Sequence, residues 1–216
     1  NFILNKILNI KSNKSFLGVS IDSKLVKKRN LFVPIKGKKN DGHNFINKAV
    51  LKGAHNCVVS KNTNKISKNK IIKVLNTHNF LKKLAFLKRE HSSGKIIAVT
   101  GSSGKTSVKD LIGNLLKNYG ETYFSPKSYN NSYGVPLSLC NLEHEHKFGV
   151  FEIGMSKKGE IDTLSKIVKP NIAIITNVAE AHIENFKNLN HIAKAKGEII
   201  DNISPSGCLI VDRDSK

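Results

Sequence analysis

The sequence predicts an α/β fold, in which a small α/β amino-terminal domain precedes a mostly parallel sheet flanked by helices. Three observations support this prediction. Short apolar runs typical of strands alternate along the chain with amphipathic stretches typical of helices. A glycine-containing turn at 101–104 joins one such strand directly to one such helix. A short polar stretch at 90–95 separates two segments, and 216 residues are enough for two domains.

The first predicted domain covers residues 1–90. Its strands are expected at 31–35, 57–59 and 71–74, and its helices at 44–52 and 79–88. Gly53 stands where the first helix would end in a left-handed cap. The stretch at 61–70, rich in lysine and asparagine, is expected to be an exposed loop.

The second predicted domain covers residues 91–216 and alternates more regularly. Its strands are expected at 96–100, 122–124, 149–153, 172–176 and 208–211, and its helices at 106–118, 159–168 and 189–203. This alternation is typical of a parallel sheet with helices on its faces. Ligands of such sheets bind at the carboxyl ends of the strands, so the residues just after each strand are the candidate functional residues.

The turn at 101–104 and the start of the next helix form a shortened phosphate-binding loop of the P-loop type, G-x-x-G-K-T. Val99 stands where the longer form of the motif has a glycine. Backbone N–H groups and the helix N-terminus would surround the phosphates of a nucleotide, Lys105 would reach the β- and γ-phosphates, and the Thr106 hydroxyl would bind Mg²⁺. The residues expected to bind phosphate are Gly101, Ser102, Ser103, Gly104, Lys105, Thr106 and Ser107.

Three further candidates follow other strands at the same edge of the predicted sheet. Glu152 ends an apolar run, as the acidic residue of a Walker B strand does, and can hold Mg²⁺ directly or through water. An ordinary carboxylate at a strand end is the alternative. Asn177 and His182 follow the strand at 172–176, which predicts contact of His182 with metal or phosphate and places Asn177 beside the nucleotide.

A polar loop is predicted at 130–136, between two strands of the sheet. Asn130 and Asn131 stand at its start, and each amide can both donate and accept hydrogen bonds. Paired amides near a phosphate site would suit a polar substrate. A plain turn is the alternative.

Lys196 is anomalous within the helix predicted at 189–203. Placed on a helix, it falls in the middle of an apolar stripe, whereas Lys194 points to the opposite side. Burial lowers the pKa of a lysine, and the neutral amine can react with carbon dioxide to form a carbamate suited to a magnesium ion. A lysine whose stem lies along the apolar face while its ammonium reaches solvent is the alternative. The stripe comprises Leu189, Ile192, Ile199, Ile200 and Ile203.

The composition indicates which partners to expect. The formal net charge is +20, which suggests nucleic acid, but Arg29, Arg89 and Arg213 are the only arginines, and the lysines are scattered. We therefore expect a solvated lysine surface and no nucleic-acid partner. Apolar runs are too short for membrane insertion, and three isolated cysteines fit a reducing, cytoplasmic environment.

These motifs, in this order, resemble those of the Mur ligase family. Within that family they resemble the ligases that join D-alanyl-D-alanine to UDP-N-acetylmuramoyl-tripeptide. The resemblance covers nearly the whole chain. It rests on residues 22–23, 31–33, 37, 41–43, 49, 53–54, 100–107, 130–131, 134–136, 152–155, 159–161, 176–177, 181–184 and 192–199.

The resemblance implies a cytoplasmic, monomeric enzyme of peptidoglycan precursor synthesis that uses ATP and Mg²⁺. ATP would phosphorylate the terminal carboxylate of the tripeptide, and the amine of D-alanyl-D-alanine would attack the acyl phosphate to form an amide. The first domain would hold the UDP end of the substrate. Catalytic roles are implied for Lys105, His182 and Lys196, metal contacts for Thr106, Glu152, His182 and Lys196, a nucleotide contact for Asn177, and substrate contacts for Ser23, Asn130 and Asn131.

Two alternatives remain at this point. One is a different amide-forming relative, either another Mur ligase or a folylpolyglutamate-synthase-like ligase. The other is a nucleic-acid-binding P-loop protein, which only the charge favours. The chain starts at Asn1, and in the resembling family a carboxy-terminal domain would follow, so we expect a fragment with a truncated central domain.

Overall fold

The computed structural model describes residues 2–8, 15–37, 39–180 and 185–212. The chain divides into two compact units, Asn1–Leu87 and Lys88–Lys216, and the α3 helix (Thr77–Glu90) runs through the division. Among the described residues, no helix combines the length and the apolar character needed to cross a lipid bilayer.

The first unit contains a four-stranded, fully parallel sheet in the order β1-β2-β3-β4. Its core lies between the sheet and a helix that begins as a 3₁₀ turn at Gly42–Phe45. The core residues include Phe32, Ile46, Ala49 and Cys57. The other elements of this unit are α1 (Phe2–Leu8), β1 (Val19–Ser20), β2 (Leu31–Phe32), α2 (Ile46–Leu51), β3 (Asn56–Val59), a 3₁₀ turn at Lys68–Lys70 and β4 (Ile71–Lys73).

The second unit contains a five-stranded parallel sheet in the order β6-β7-β5-β8-β9. Because β5 is in the middle, the chain leaves it toward one side of the sheet and later returns to the other side. The elements of this unit are β5 (Lys95–Thr100), α4 (Lys105–Leu116), β6 (Thr122–Phe124), α5 (Gly134–Cys140), β7 (Phe148–Glu152), α6 (Glu160–Val168), β8 (Ile172–Ile175), α7 (Leu189–Gly197), a 3₁₀ turn at Ile200–Asn202 and β9 (Cys208–Val211).

The central strand β5 is buried from its second residue to its last, as expected of a parallel strand covered on both faces. Helix α4 packs on one face of the sheet through Val108, Ile112 and Leu116. Gly113 lets this helix approach β6 closely, since a Cβ built at Gly113 would lie 2.5 Å from the Phe124 ring. The expected strands of this unit are found within one residue at each end.

The prediction of a loop over 130–136 is wrong in its second half, because α5 begins at Gly134. Asn131 Oδ1 accepts hydrogen bonds from the backbone N–H groups of Tyr133 and Gly134, at 3.1 and 3.0 Å, and so satisfies donors at the start of the helix. Pro136 lies in the first turn, where a missing N–H costs little. A seven-residue buried helix shows no amphipathic pattern, so its residues gave no helical signal.

The helix predicted at 189–203 is also too long. Helix α7 ends at Gly197, and the next bonds tighten to the 3₁₀ spacing, with Ile199 N–H donating to the Lys196 carbonyl. Glycine disfavours continuation of a helix. As a result Ile200 is exposed and does not belong to the apolar stripe.

We expect Gly113→Ala to destabilise the chain, by roughly 1–3 kcal/mol, because the added methyl overpacks the contact between α4 and Phe124. The matched control is Gly197→Ala, whose Cβ would meet nothing nearer than 4.0 Å. The control is expected to be neutral or slightly stabilising. Urea unfolding of both variants checks this, and equal stability of the two would contradict the close-approach argument.

Candidate functional site

The central position of β5 fixes where a ligand can bind in the second unit. The loop after β5 lies at the point where the strand order changes direction, with β7 on one side and β8 on the other. The crevice at such a point is where open parallel sheets bind ligands. Val99 is in register with Glu152 of β7, and Thr100 with Ile175 of β8, so residues after all three strands meet at one edge.

Two glycines shape the loop. Gly101 has a φ of 147°, and a Cβ there would fall on the Thr176 hydroxyl, so only glycine fits. Gly104 has a φ of 76° and is the N-cap residue of α4. The loop is thus a tight turn that brings the backbone directly onto the helix N-terminus.

Asn177, just beyond β8, braces the loop. Its Oδ1 accepts hydrogen bonds from the Ser102 and Ser103 amides at 3.1 and 3.0 Å, and its Nδ2 donates to Ser103 Oγ at 2.7 Å. Thr176 Oγ1 donates to the Ser103 carbonyl at 2.6 Å. Asn177, expected to lie beside the nucleotide, therefore holds the loop in shape, and Thr176 is a contributor that the sequence did not single out.

The start of α4 offers donors for an anion. The first helical hydrogen bond runs from Val108 N–H to the Gly104 carbonyl, so the amides of Lys105, Thr106 and Ser107 precede it and have no helical acceptor. Together with the helix dipole they favour a phosphate group. Lys105 Nζ donates to the carbonyls of Gly101 and Ser102, at 2.8 and 3.1 Å. Burial lowers the pKa of Lys105, whereas the Glu152 carboxylate raises it.

Glu152 is the buried acid at the end of β7, with 1% of its surface exposed. Its Oε2 accepts a 2.7 Å hydrogen bond from Thr106 Oγ1, and its Oε1 accepts a 2.7 Å hydrogen bond from Asn130 Nδ2. Asn130, expected to contact substrate, therefore contacts this carboxylate. Ser128 joins the group, with its Oγ 3.3 Å from Thr106 Oγ1.

The donor set fits a magnesium ion and a nucleotide. A carboxylate and a hydroxyl are hard oxygen ligands, and Mg²⁺ usually takes only one or two protein ligands in addition to phosphate and water. The described residues contain no cluster of three or more histidine, cysteine or acidic side chains. Thr100 Oγ1, at the mouth of the loop, is buried with no hydrogen-bond partner among the described residues.

Lys196 is buried, as its place in the apolar stripe predicts, and Lys194 is exposed. Burial and, to a smaller extent, the positive charge of Lys105 together lower the pKa of Lys196 to about 8. Among the described residues, none accepts a hydrogen bond from its ammonium group.

Four other residues were predicted to belong to the site. His182 lies outside the described residues. Ser107 is exposed on the first turn of α4. Asn131 caps α5 with its side-chain oxygen. Ser23 is buried in the first unit, in the turn after β1.

The five-stranded parallel sheet and its central glycine loop place the second unit in the class of α/β domains with a phosphate-binding loop. Comparison with known families narrows the class. The Mur ligase middle domain matches residues 99–216, more than half of the chain, and the catalytic domain of the Mur ligase family matches residues 15–89. The chain belongs to the Mur ligase family.

Two curated relatives are both named UDP-N-acetylmuramoyl-tripeptide–D-alanyl-D-alanine ligase. The protein of Rickettsia prowazekii is 42% identical over 194 residues, which cover 90% of this chain and 43% of that protein. The Escherichia coli protein is 34% identical over 197 residues, covering 91% of this chain and 43% of that protein. The chain therefore spans less than half the length of these relatives.

Two solved structures of MurF are similar to this chain. MurF from Acinetobacter baumannii matches with a TM-score of 0.86 and 32% identity, covering 100% of this chain and 49% of that one. MurF from Thermotoga maritima in complex with ADP matches with a TM-score of 0.79 and 34% identity, covering 94% of this chain and 47% of that one.

The buried ammonium of Lys196 predicts a pH dependence of stability. Its pKa is about 8 in the folded chain against an ordinary 10.5, so between these values the unfolded state binds more protons and unfolding becomes costlier as pH rises. The cost of burying the charge is complete below pH 8. We expect Lys196→Met to stabilise the chain most below pH 8, with the advantage vanishing near pH 10.5.

Urea unfolding in degassed buffer across this pH range measures the effect. Lys194→Met is the matched control, since its parent lysine is exposed on the same helix. The control should show no such trend. A Lys196→Met variant that is less stable than the parent by the same amount at every pH would contradict burial of a charge.

Proposed function

We propose that this chain is part of an ATP-dependent ligase that joins D-alanyl-D-alanine to UDP-N-acetylmuramoyl-tripeptide, in peptidoglycan precursor synthesis. The observation that carries the proposal is the pairing of Glu152 with Thr106 beside Lys105, at the phosphate-binding loop of a Mur ligase fold. The name of the two curated relatives, and the similarity to two MurF structures, support this choice over other Mur ligases. Bound ATP would supply the phosphoryl group that activates the tripeptide carboxylate.

The residues of the loop would hold the triphosphate. The amides of Lys105, Thr106 and Ser107 point along the start of α4 and can donate to phosphate oxygens. Lys105 would exchange its two carbonyl partners for phosphate, because a charge-assisted bond to an anion is stronger than a bond to a neutral carbonyl. Its positive charge would also reduce the repulsion between the triphosphate and the approaching carboxylate.

Glu152 and Thr106 would hold the magnesium ion that accompanies ATP. The two oxygen atoms lie 2.7 Å apart, so both could serve as ligands of one ion once the Thr106 hydroxyl turns its hydrogen away from the carboxylate. Asn130 would keep the carboxylate oriented while this happens. His182 is proposed as a further ligand on the basis of the family resemblance.

Lys196 would take part as a carbamate. With a pKa of about 8, a minor fraction of Lys196 is a neutral amine near physiological pH, and this is the form that adds carbon dioxide and releases a proton. A carbamate also reverses the local electrostatics, since the repulsion between two ammonium groups at Lys105 and Lys196 becomes an attraction. The anion could then bind magnesium.

The first unit would hold the UDP-muramoyl end of the substrate, with Ser23 as a contact. Asn131 keeps its side-chain NH₂ group available for substrate, since its oxygen caps α5. The acceptor would be D-alanyl-D-alanine. A monomer in the cytoplasm is the state that we propose for the whole enzyme.

Nucleotide binding tests the proposal directly. We expect the non-hydrolysable analogue AMP-PNP to bind the chain more tightly with Mg²⁺ than without it. Glu152→Gln should remove most of the magnesium-dependent gain, and Lys105→Ala should weaken binding about 10-fold or more, because a hydrogen bond to a charged group contributes ~1.5–3 kcal/mol. Calorimetry measures all three, and Lys117→Ala, an exposed lysine after the end of α4, is the control.

Equal affinity with and without Mg²⁺, or an unchanged Glu152→Gln variant, would contradict the metal assignment. Titration with UDP-N-acetylmuramoyl-tripeptide separates the ligase from other nucleotide-binding proteins. Saturable binding is expected. If the tripeptide substrate does not bind at millimolar concentration, the substrate assignment is contradicted even if AMP-PNP binds.

The carbamate has a direct signature. In buffer with ¹³C-bicarbonate, we expect one carbamate carbon resonance that is absent from Lys196→Ala and retained in Lys194→Ala, because Lys196 is buried with a pKa of about 8 whereas Lys194 is exposed. A spectrum in which the resonance is missing from the parent chain, or survives Lys196→Ala, would rule out this modification.

A further inference from the structure

Lys109 lies one turn after Lys105 on α4, and its side chain is completely buried. Burying an ammonium group is costly unless each of its donors finds an acceptor. Its Nζ donates to the Ser125 carbonyl at 2.7 Å and to the Lys127 carbonyl at 2.8 Å, and it lies 2.9 Å from Asp110 Oδ1. An ammonium has three donors, so these three acceptors satisfy it completely.

The two carbonyls belong to the segment 125–130, which follows β6 and reaches Glu152 in two ways. Ser125 Oγ accepts a hydrogen bond from the Glu152 backbone N–H at 3.3 Å, and Asn130 Nδ2 donates to the Glu152 carboxylate at 2.7 Å. Ser128, between them, lies 3.3 Å from the Thr106 hydroxyl. The segment therefore supports Glu152 through both its backbone and its side chain.

The backbone of this segment also needs to be held. Lys127 has a φ of 51°, a left-handed conformation that is unfavourable for a residue with a side chain. The carbonyl that Lys127 contributes is one of the two that Lys109 binds. The ammonium of Lys109 thus stabilises a strained turn that would otherwise relax, and it ties that turn to the helix that carries Lys105 and Thr106.

We propose that Lys109 is a positioning residue for the metal site, which it controls by holding the segment 125–130 against α4 and so setting the Glu152 carboxylate. This proposal rests on the function proposed above. The three donors of Lys109 are all used within the chain, by Ser125, Lys127 and Asp110, so none is left for phosphate. Its effect reaches the metal through the supporting segment, by way of Asn130 and Ser125.

The test compares AMP-PNP affinity with and without Mg²⁺ in K109M, which keeps the apolar stem and removes all three donors. Loss of an outer partner of a metal ligand typically costs about 10–100-fold in metal affinity. We expect the magnesium-dependent part of the affinity to fall by about this factor, while the affinity without Mg²⁺ changes less than about 3-fold, since the loop and Lys105 are untouched. A merely structural lysine would lower both affinities together.

K117M is the matched control, a lysine-to-methionine change at an exposed position after the same helix. K109R is the second variant and decides the question if K109M does not fold. A planar guanidinium keeps donors but cannot reproduce the three-way arrangement, so K109R should lose part of the magnesium-dependent affinity and none of the rest. An unchanged K109R, or equal losses with and without Mg²⁺, would overturn the proposal.

A second readout separates failure of this proposal from failure of the proposed function. The side-chain amide resonance of Asn130 reports its hydrogen bond to Glu152 in the absence of any ligand. It should shift in K109M and K109R and stay in place in K117M. If the parent chain binds no AMP-PNP, the proposed function fails and this resonance still decides whether Lys109 sets Glu152; an unshifted resonance means that it does not.

Discussion

The geometry of the site depends on the hydrogen bonds of the buried Glu152 carboxylate. A carboxylate with almost no exposed surface is unstable unless hydrogen bonds replace its water. The two that do so come from Thr106 on α4 and from Asn130 on the segment after β6. The buried charge therefore connects the end of β7 to helix α4 and to the turn after β6. Loss of the Thr106 hydroxyl or of the Asn130 amide would leave this charge partly unpaired.

Three lysines, two on α4 and one on α7, are buried or half-buried, and each meets the problem of burial differently. Lys109 is fully hydrogen-bonded, Lys105 rests on two loop carbonyls, and Lys196 is left with a lowered pKa. Lys109 has the Asp110 carboxylate beside its ammonium group, whereas Glu152 is the carboxylate whose charge acts on Lys105. The positive charge of Lys105 at the loop after β5 favours an anionic ligand such as a triphosphate.

The sequence predicted the strands of the second unit to within a residue, because buried parallel strands and a glycine loop have strong local signals. It also predicted the burial of Lys196 from helical spacing alone. The helix at Gly134–Cys140 was missed because a fully buried short helix has no polar face. Asn130 acts as a brace through Glu152, 22 positions along the chain, and Asn177 through Ser103, 74 positions away. The local sequence pattern around each asparagine does not indicate such distant partners.

The strand order has a consequence for how the chain acquires its site. The loop after β5 is shaped by Asn177, and its acid comes from β7, so both supports are synthesised long after the loop itself. Pairings between distant segments must wait for loop closure, which slows folding. On the ribosome, a chain that has reached only α4 has the complete glycine motif and none of its bracing. The loop gains the hydrogen bonds of Asn177 only when β8 is added beside β5.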